Sequence, residues 1–435
     1  MVRVLGAGAL VASLWIAAGA CGGGDDDFDI SVVDGSPGDA DDAGPPDDDN
    51  DSFDEAISVD IGDPGRRGVI DVPGDQDFYV FEGAAGQWLE LSALPEDFSI
   101  EILPIVTLYD SNETQIAESF ILATRLPASG TYYAKVEDLW SIFGDPTTVG
   151  GPDASYVFDI VELLDGVDDY YFDMELGDDA ASAVTIPASG GLFFPSMVGL
   201  YDHAADRDVF SFTLDGTGTQ YFDAYVSAPG PNGNGSTSDF NELWITDATG
   251  SEILARIDSD QFSLTPPLPS PASYLLWVEK GATAPAANDF YEVSCFGGVD
   301  DNPEELEPPA TTGANDTIAL ADAAGEDVEL TADGAFFITY LPAGDVDYIG
   351  FDASSGLAIE AFCVAADFGS GLLGMTGEIR DSSDTTLSSA TEPSAVVLDT
   401  TLPGAGRYYF RLSAAGQDPE VTGNWVRCRL RVPSF

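Results

Sequence analysis

The feature that most constrains the fold of this chain is a set of landmarks that recurs three times in the same order. Each set opens on a polar pair, Asp54-Glu55, Asp178-Asp179 or Asn315-Asp316. An Asp-x-Asp then leads into an alternating aromatic strand: Asp75-Gln-Asp77-Phe-Tyr-Val-Phe81, Asp206-Arg-Asp208-Val-Phe-Ser-Phe212 and Asp345-Val-Asp347-Tyr-Ile-Gly-Phe351. A second strand follows, and then a third that ends in Asp plus a turn, at Asp110, Asp247 and Asp381. Leu-Pro next introduces a tyrosine strand, at Leu126-Pro127, Leu268-Pro269 and Leu402-Pro403. A last strand closes each set. Units of roughly 110–130 residues are long enough to bury cores of their own. Short alternating strands punctuated by turn residues predict antiparallel β-sandwiches. The expected fold is therefore all-β, with three tandem jelly-roll-like sandwiches over 54–165, 172–298 and 314–435 and a linker over 299–313, where Pro308-Pro309 favours extended backbone.

What precedes the first set reads as processing. Arg3, an apolar run from Val4 to Ala18 and small residues before Cys21 form a signal peptide over 1–20. The run is shorter than the ~20 residues a membrane-spanning helix needs. Ala18-Gly19-Ala20-Cys21 resembles the lipobox of bacterial lipoproteins, which implies that Cys21 is acylated and becomes the new N-terminus. A segment with twelve aspartates between Asp25 and Asp51 follows, too poor in apolar groups to fold. Residues 21–53 thus read as a lipidated cysteine and a disordered acidic stalk. The expected location is the cell envelope, lipid-anchored, at the outer membrane or cell surface.

The order of landmarks resembles the bacterial pre-peptidase C-terminal domain, a β-sandwich module appended to secreted proteases. The first set matches it best, through Gly74-Asp-Gln-Asp77-Phe-Tyr-Val-Phe81, Ala85-Gly86-Gln87 and Gly130-Thr-Tyr-Tyr133. The second lacks the glycine before Asp206. The resemblance implies a non-catalytic binding or spacer role; the alternative is an accessory of a secreted hydrolase system that holds substrate for a separate enzyme.

In a strand, residues i and i+2 project from one face roughly 6.5–7 Å apart. Two carboxylates that close repel by about 1–2 kcal/mol at a surface-like dielectric. A cation, a basic side chain or backbone N–H groups must offset this. Calcium takes six to eight oxygens, and the resembled family's collagen-binding relatives hold it between an acidic segment and such a strand start. The candidate calcium ligands are thus Asp75 and Asp77 with Asp54 and Glu55, Asp206 and Asp208 with Asp178 and Asp179, and Asp345 and Asp347 with Asn315 and Asp316. The alternative is that the first Asp caps a turn and the second takes neighbouring amide hydrogens.

The chain carries 77 acidic residues against 14 basic ones, for a formal charge of −63. Such a surface repels phosphates, so nucleic acid is not an expected partner. An extracellular protein or polysaccharide is. His203 is the single histidine, which excludes His-based zinc clusters and HExxH. No Gly-x-Ser-x-Gly is present. No catalytic residues are assigned, and His203 reads as a solvated loop residue. Parity places Cys363 and Cys428 inward on strands of the third set, where an exported protein favours a disulfide; Cys295 is left over as a buried hydrophobe. Arg427, Arg429 and Arg431 share the outward face, fit either for an anionic partner or for pairing with adjacent carboxylates.

Overall fold

The computed structural model describes residues 50–97, 102–142, 150–163, 170–172, 177–186, 196–238, 240–258, 261, 263–281, 283–299, 313, 315–325, 327–330, 334–354 and 356–432. Cys21, the signal peptide and the acidic segment lie outside these residues. Strands dominate, and no helix among the described residues is long and apolar enough to cross a membrane.

The first unit contains β1 (Ile57–Ser58), β2 (Arg66–Val69), β3 (Gln76–Gly83), β4 (Trp88–Pro95), β5 (Pro104–Asp110), β6 (Gln115–Ser119), β7 (Ile121–Arg125), β8 (Gly130–Asp138) and β9 (Ser155–Glu162). They form two sheets of order β1-β3-β8-β5-β6 and β2-β9-β4-β7. In the second unit are β10 (Tyr170–Phe172), β11 (Val184–Thr185), β12 (Ser196–Leu200), β13 (Arg207–Val226), β14 (Phe240–Asp247), β15 (Ile253–Asp258), β16 (Ser263–Leu264), β17 (Pro267–Lys280) and β18 (Phe290–Val299). The third unit has β19 (Ala335–Tyr340), β20 (Val346–Ala353), β21 (Ala358–Val364), β22 (Leu372–Asp381), β23 (Thr386–Glu392), β24 (Ala395–Thr401), β25 (Gly406–Gln417) and β26 (Trp425–Arg431). Its sheets, β20-β25-β22-β23 and β19-β26-β21-β24, repeat the order of the first unit. In the second unit the aromatic strand and the strand after it are one continuous β13. It pairs with β17 from Arg207 to Tyr221 and with β18 and β16 towards its C-terminal end, so one nine-stranded sheet wraps both layers.

Each unit packs its own apolar core, and the recurring landmarks have physical causes. Phe81, Phe212 and Phe351 lie directly opposite Tyr132, Tyr274 and Tyr408. These ring pairs sit 5.9, 5.6 and 6.0 Å apart by centroid, near parallel or tilted, in the offset range aromatic pairs favour. Each tyrosine hydroxyl then donates back to the Leu-Pro segment: Tyr132 to Ala128 O at 2.6 Å, Tyr408 to Gly404 O at 2.7 Å, and Tyr274 to Pro269 O, which in the second unit lies within β17. That bond satisfies a buried hydroxyl and a backbone carbonyl together. The Asp ending the third strand caps its turn. Asp110 Oδ1 accepts from the amides of Asn112 and Thr114, Asp247 Oδ1 from Ser251 and Glu252, and Asp381 Oδ1 from Ser383 and Thr385.

In the third unit Cys363 and Cys428 face each other across β21 and β26 and are disulfide-bonded, with Cα atoms 4.1 Å apart. Cys295 is buried and free. Of the arginine stripe, Arg431 pairs with Glu360 on the neighbouring strand at 2.6 Å and Arg429 stacks on Phe336.

The units touch one another. Ala123, Leu163 and partly buried Trp88 and Val161 of the first pack with Val198, Phe290 and Leu200 of the second. Thr124 Oγ1 donates to Asn234 O at 2.6 Å. Between the second and third, Arg256 reaches Asp418 at 2.8 Å and Glu420 at 3.0 Å.

Candidate functional site: the carboxylate mouths of the three cores

The Asp-x-Asp segments sit where the parity of the aromatic strands puts them, at the core-facing start of β3, β13 and β20. Asp77, Asp208 and Asp347 are 3%, 2% and 0% exposed, so three carboxylates are drawn out of water at three equivalent places. The first Asp of each pair closes a turn. Asp75 Oδ2 accepts from Asp71 N at 2.7 Å, and Asp206 Oδ2 from Asp202 N at 2.8 Å. The turn needs a left-handed residue just before it, supplied by Gly74 (φ 92°) and Gly344 (φ 88°). In the second unit Ala205 takes it at φ 58°, a conformation that strains any residue with a Cβ.

In the first unit Asp77 accepts a hydrogen bond from Tyr156 Oη, which is 2.9 Å from Tyr79 Oη. Burial pushes Asp77 up to about 7; the Tyr156 hydroxyl opposes this, and the charges of Asp75, Asp71 and Asp51 add to it. The register that pairs Gln76 with Glu137 puts Asp138 opposite Asp75. Asp138 is fully buried, accepting from Leu103 N at 2.8 Å.

Asp54 and Glu55 do not join this mouth. They are exposed in the 3-10 turn Phe53–Glu55, with Glu55 taken by Ser52 Oγ at 2.7 Å. Their place belongs to Asn50-Asp51. Asn50 is 2% exposed, its carbonyl accepts from Phe78 N at 2.9 Å, and its Nδ2 donates to Phe78 O at 3.3 Å. Asn50 Oδ1 is buried with no hydrogen-bond partner. The third unit uses the same device: Tyr348 N donates to Asn315 O at 3.2 Å, and Asn315 is fully buried. The shared signal is Asn-Asp-Ser/Thr-apolar at 50–53 and 315–318, masked in the first set by the acidic pair four residues on.

In the third unit Asp345 is 2% exposed, its amide donates to Pro342 O at 3.0 Å, and Asp347 takes the Thr339 hydroxyl. Asp316 Oδ1 is a second buried oxygen with no hydrogen-bond partner.

The second mouth is built differently. Asp179 is exposed and turned onto its own loop, taking the amides of Ala181 and Ser182 at 3.0 Å. Asp178 instead approaches His203 Nε2 at 3.6 Å, while His203 Nδ1 lies 3.0 Å from Asp206 Oδ1 and contacts Asp202. Asp178, His203 and Asp206 each offer a ligand atom within 4.8 Å of the others, a donor set that suits a metal ion. The imidazole, half exposed, is thus no bystander of the loop; its neighbours hold its pKa above the ordinary value, the Asp202 hydrogen bond foremost. Opposite Asp206, where the first unit has Asp138, stands Lys280, whose amide donates to Asp206 O at 2.8 Å. The Lys280 ammonium is buried, paired with Asp289 at 2.8 Å and set over the Tyr201 ring. Arg207, between the aspartates, points away to Glu279 and to Trp244 and Trp277.

No family model matches the chain, and no curated protein matches it. Among solved structures, it is similar to the pre-peptidase C-terminal domain of a collagenase from Bacillus anthracis, at 18% identity, over 25% of this chain and 92% of that one, with a TM-score of 0.18. It is also similar to tandem CBM51 modules of a family 98 glycoside hydrolase from Streptococcus pneumoniae, at 12% identity, over 53% of this chain and 83% of that one, with a TM-score of 0.17. A triple jelly-roll protein of an archaeal virus turret matches at 7% identity, over 86% of this chain and 82% of that one, with a TM-score of 0.15.

Proposed function

We propose that this chain is a non-catalytic lipoprotein of the cell envelope, anchored through Cys21, whose β-sandwich units form a spacer ordered by calcium at the first and third mouths. The observation that carries the spacer reading is the inward orientation of its aromatics. Among the residues whose side chains are described, Phe296, at 38%, is the single exposed aromatic, and these residues present no aromatic platform for a sugar or peptide. The contacts between successive units fit the same role, since they hold one sandwich against the next. Among the described residues His203 faces the carboxylates of Asp178, Asp202 and Asp206.

Calcium suits the first and third mouths because of what they leave unsatisfied. Asn50 Oδ1 and Asp316 Oδ1 are buried acceptors with no donor, beside carboxylates that repel one another when both ionise. Hard oxygen donors of this kind fit calcium. In the second unit His203 already lies against Asp206 and Asp178 and brings a positive charge to the mouth when protonated, so it needs the ion least.

The test is melting of the mature chain in chelator and in millimolar calcium. A ligand at a hundredfold excess over its dissociation constant adds about 2.7 kcal/mol. Asp347→Asn is expected to abolish the response of the third unit alone. Identical melting curves with calcium and chelator, at matched ionic strength, remove the calcium part; capture of one specific envelope polysaccharide or protein by the mature chain replaces the spacer with a binder.

A further inference from the structure

The two joins between units are made by one device, and the third unit displays its donor half. At the first join Gly233, on the loop between β13 and β14, offers its carbonyl to Glu118 N on edge strand β6 at 2.8 Å. At the second, Gly369, on the loop between β21 and β22, offers its carbonyl to Arg256 N on edge strand β15 at 2.9 Å. The two amides occupy the same register position. Glu118 lies opposite Thr107 and follows Ala117, which pairs with the fully buried Leu108. Arg256 lies opposite Trp244 and follows Ala255, which pairs with the fully buried Ile245.

Glycine is favoured in both loops by a left-handed backbone, φ 84° at Gly235 and 93° at Gly369. A Cβ on Gly235 would stand 3.1 Å from Ile116 O and 3.2 Å from Ala117 Cβ; one on Gly369 would stand 2.2 Å from the Leu264 side chain. In each case the next sandwich seats its backbone directly on the edge of the previous one, which removes an open edge.

The same position in the third unit is Ser389 on β23, opposite Glu378 and next to the Ser388–Ile379 pair. β23 is the edge of its sheet, and Ser389 is exposed where Glu118 and Arg256 are half-buried. Beside it, β24 places the exposed Val397 and Asp399 at the positions of Ile121 and the buried Ala123 of the first unit. We propose that β23 is a docking edge for a β-sandwich unit of a different protein, one that presents a glycine carbonyl from the loop between its second and third core strands within a basic rim. The glycine follows from the two joins, and the basic rim from Asp399 and Glu392, both exposed beside the edge. A second copy of this chain fits poorly. The corresponding segment of its first unit, residues 96–103, has no glycine, and its net charge is of the same sign.

The probe is a synthetic peptide of residues 364–372, the loop that fills the second join, flanked by two lysines at each end. It is added to the full mature chain at about millimolar concentration, and amide hydrogen exchange is read residue by residue. In the chain alone, Ser389 is expected to exchange at least about a hundredfold faster than Glu118 and Arg256. The peptide is expected to slow Ser389 by about tenfold or more and to lose that effect at high salt. A peptide carrying Gly369→Val is expected to do nothing. Ser389→Pro removes the donor but no ladder bond, because this amide points out of the sheet at the two equivalent positions; it is expected to abolish the effect with an unchanged melt. Ser389 already protected in the monomeric chain, no slowing by the peptide, or equal slowing by the valine peptide each overturns the proposal. Protection that grows with chain concentration, together with multimers by light scattering, assigns the edge to a second copy and overturns it too.

Discussion

Replacing Asp77 by asparagine tests whether the first mouth stores electrostatic strain. Asp77 stands at about 7 in the folded chain against an ordinary 3.8. At ~1.4 kcal/mol per pH unit, that climb is worth roughly 4 kcal/mol, an upper figure for a side chain that relaxation can relieve. The sign is fixed by linkage. A carboxyl raised on folding adds stability that is fully present below its unfolded value and is lost as pH rises towards 7. In chelator, the wild-type chain is therefore expected to weaken steadily between about pH 4 and pH 7. Asp77→Asn keeps an acceptor for the Tyr156 hydroxyl but cannot ionise. It is expected to match the wild type within about 1 kcal/mol at pH 4 and to exceed it by about 2–4 kcal/mol at pH 8. The assay is urea unfolding followed by tryptophan fluorescence, where such a gain moves the midpoint by about 1–2 M. Glu292, buried and held by Ser227 Oγ, also stands at about 7, so the wild-type slope contains both groups; the difference between the two proteins isolates Asp77. A variant equally destabilised at both pH values refutes the reasoning: Asp77 would then be a satisfied structural acceptor.

Cys21→Ser is expected to move the protein from the membrane to the soluble fraction, read by detergent partition; retention in the detergent phase refutes the anchor. Replacing Cys363 and Cys428 by alanine together is expected to cost the third unit about 2–5 kcal/mol in urea unfolding, and thiol counting on the unfolded, unreduced chain should find both blocked and Cys295 reactive. Ala205→Gly should stabilise the second unit by about 1 kcal/mol by calorimetry, since it relieves the left-handed alanine. Tyr408→Phe, which orphans the Gly404 carbonyl, is expected to cost about 1–2 kcal/mol.

Much of this fold is legible in the sequence because its landmarks are local. A Phe facing a Tyr on the paired strand, an Asp before a turn and a Leu-Pro before a hydroxyl each act over a few residues or one strand pairing. The burial of Asp77, Asp208 and Asp347 follows from the same alternation. The composition of the mouths is less legible. The eye pairs Asp54-Glu55 with the other acidic pairs, whereas the chain uses Asn50, which bonds the Phe78 backbone through its own amide and carbonyl. Asp138 and Lys280 reach the mouths only through the pairing of β8 with β3 and β17 with β13, which no local pattern announces. His203 was visible as a single residue but not as a partner of Asp178, twenty-five positions away in the chain. The continuous β13, which merges two sheets into one, is likewise decided by pairing and not by propensity.

The order of the joins also has a temporal side. The chain is made from its N-terminus, so β6 precedes the loop that brings Gly233 to it. For that interval Glu118 presents its amide to any extended peptide nearby, and the same interval recurs at Arg256 before Gly369 is made. Both positions carry a long charged side chain, and charge on an open edge discourages strand addition by strangers. Those two residues therefore serve the nascent chain first, as guards of an edge that the finished chain closes by itself.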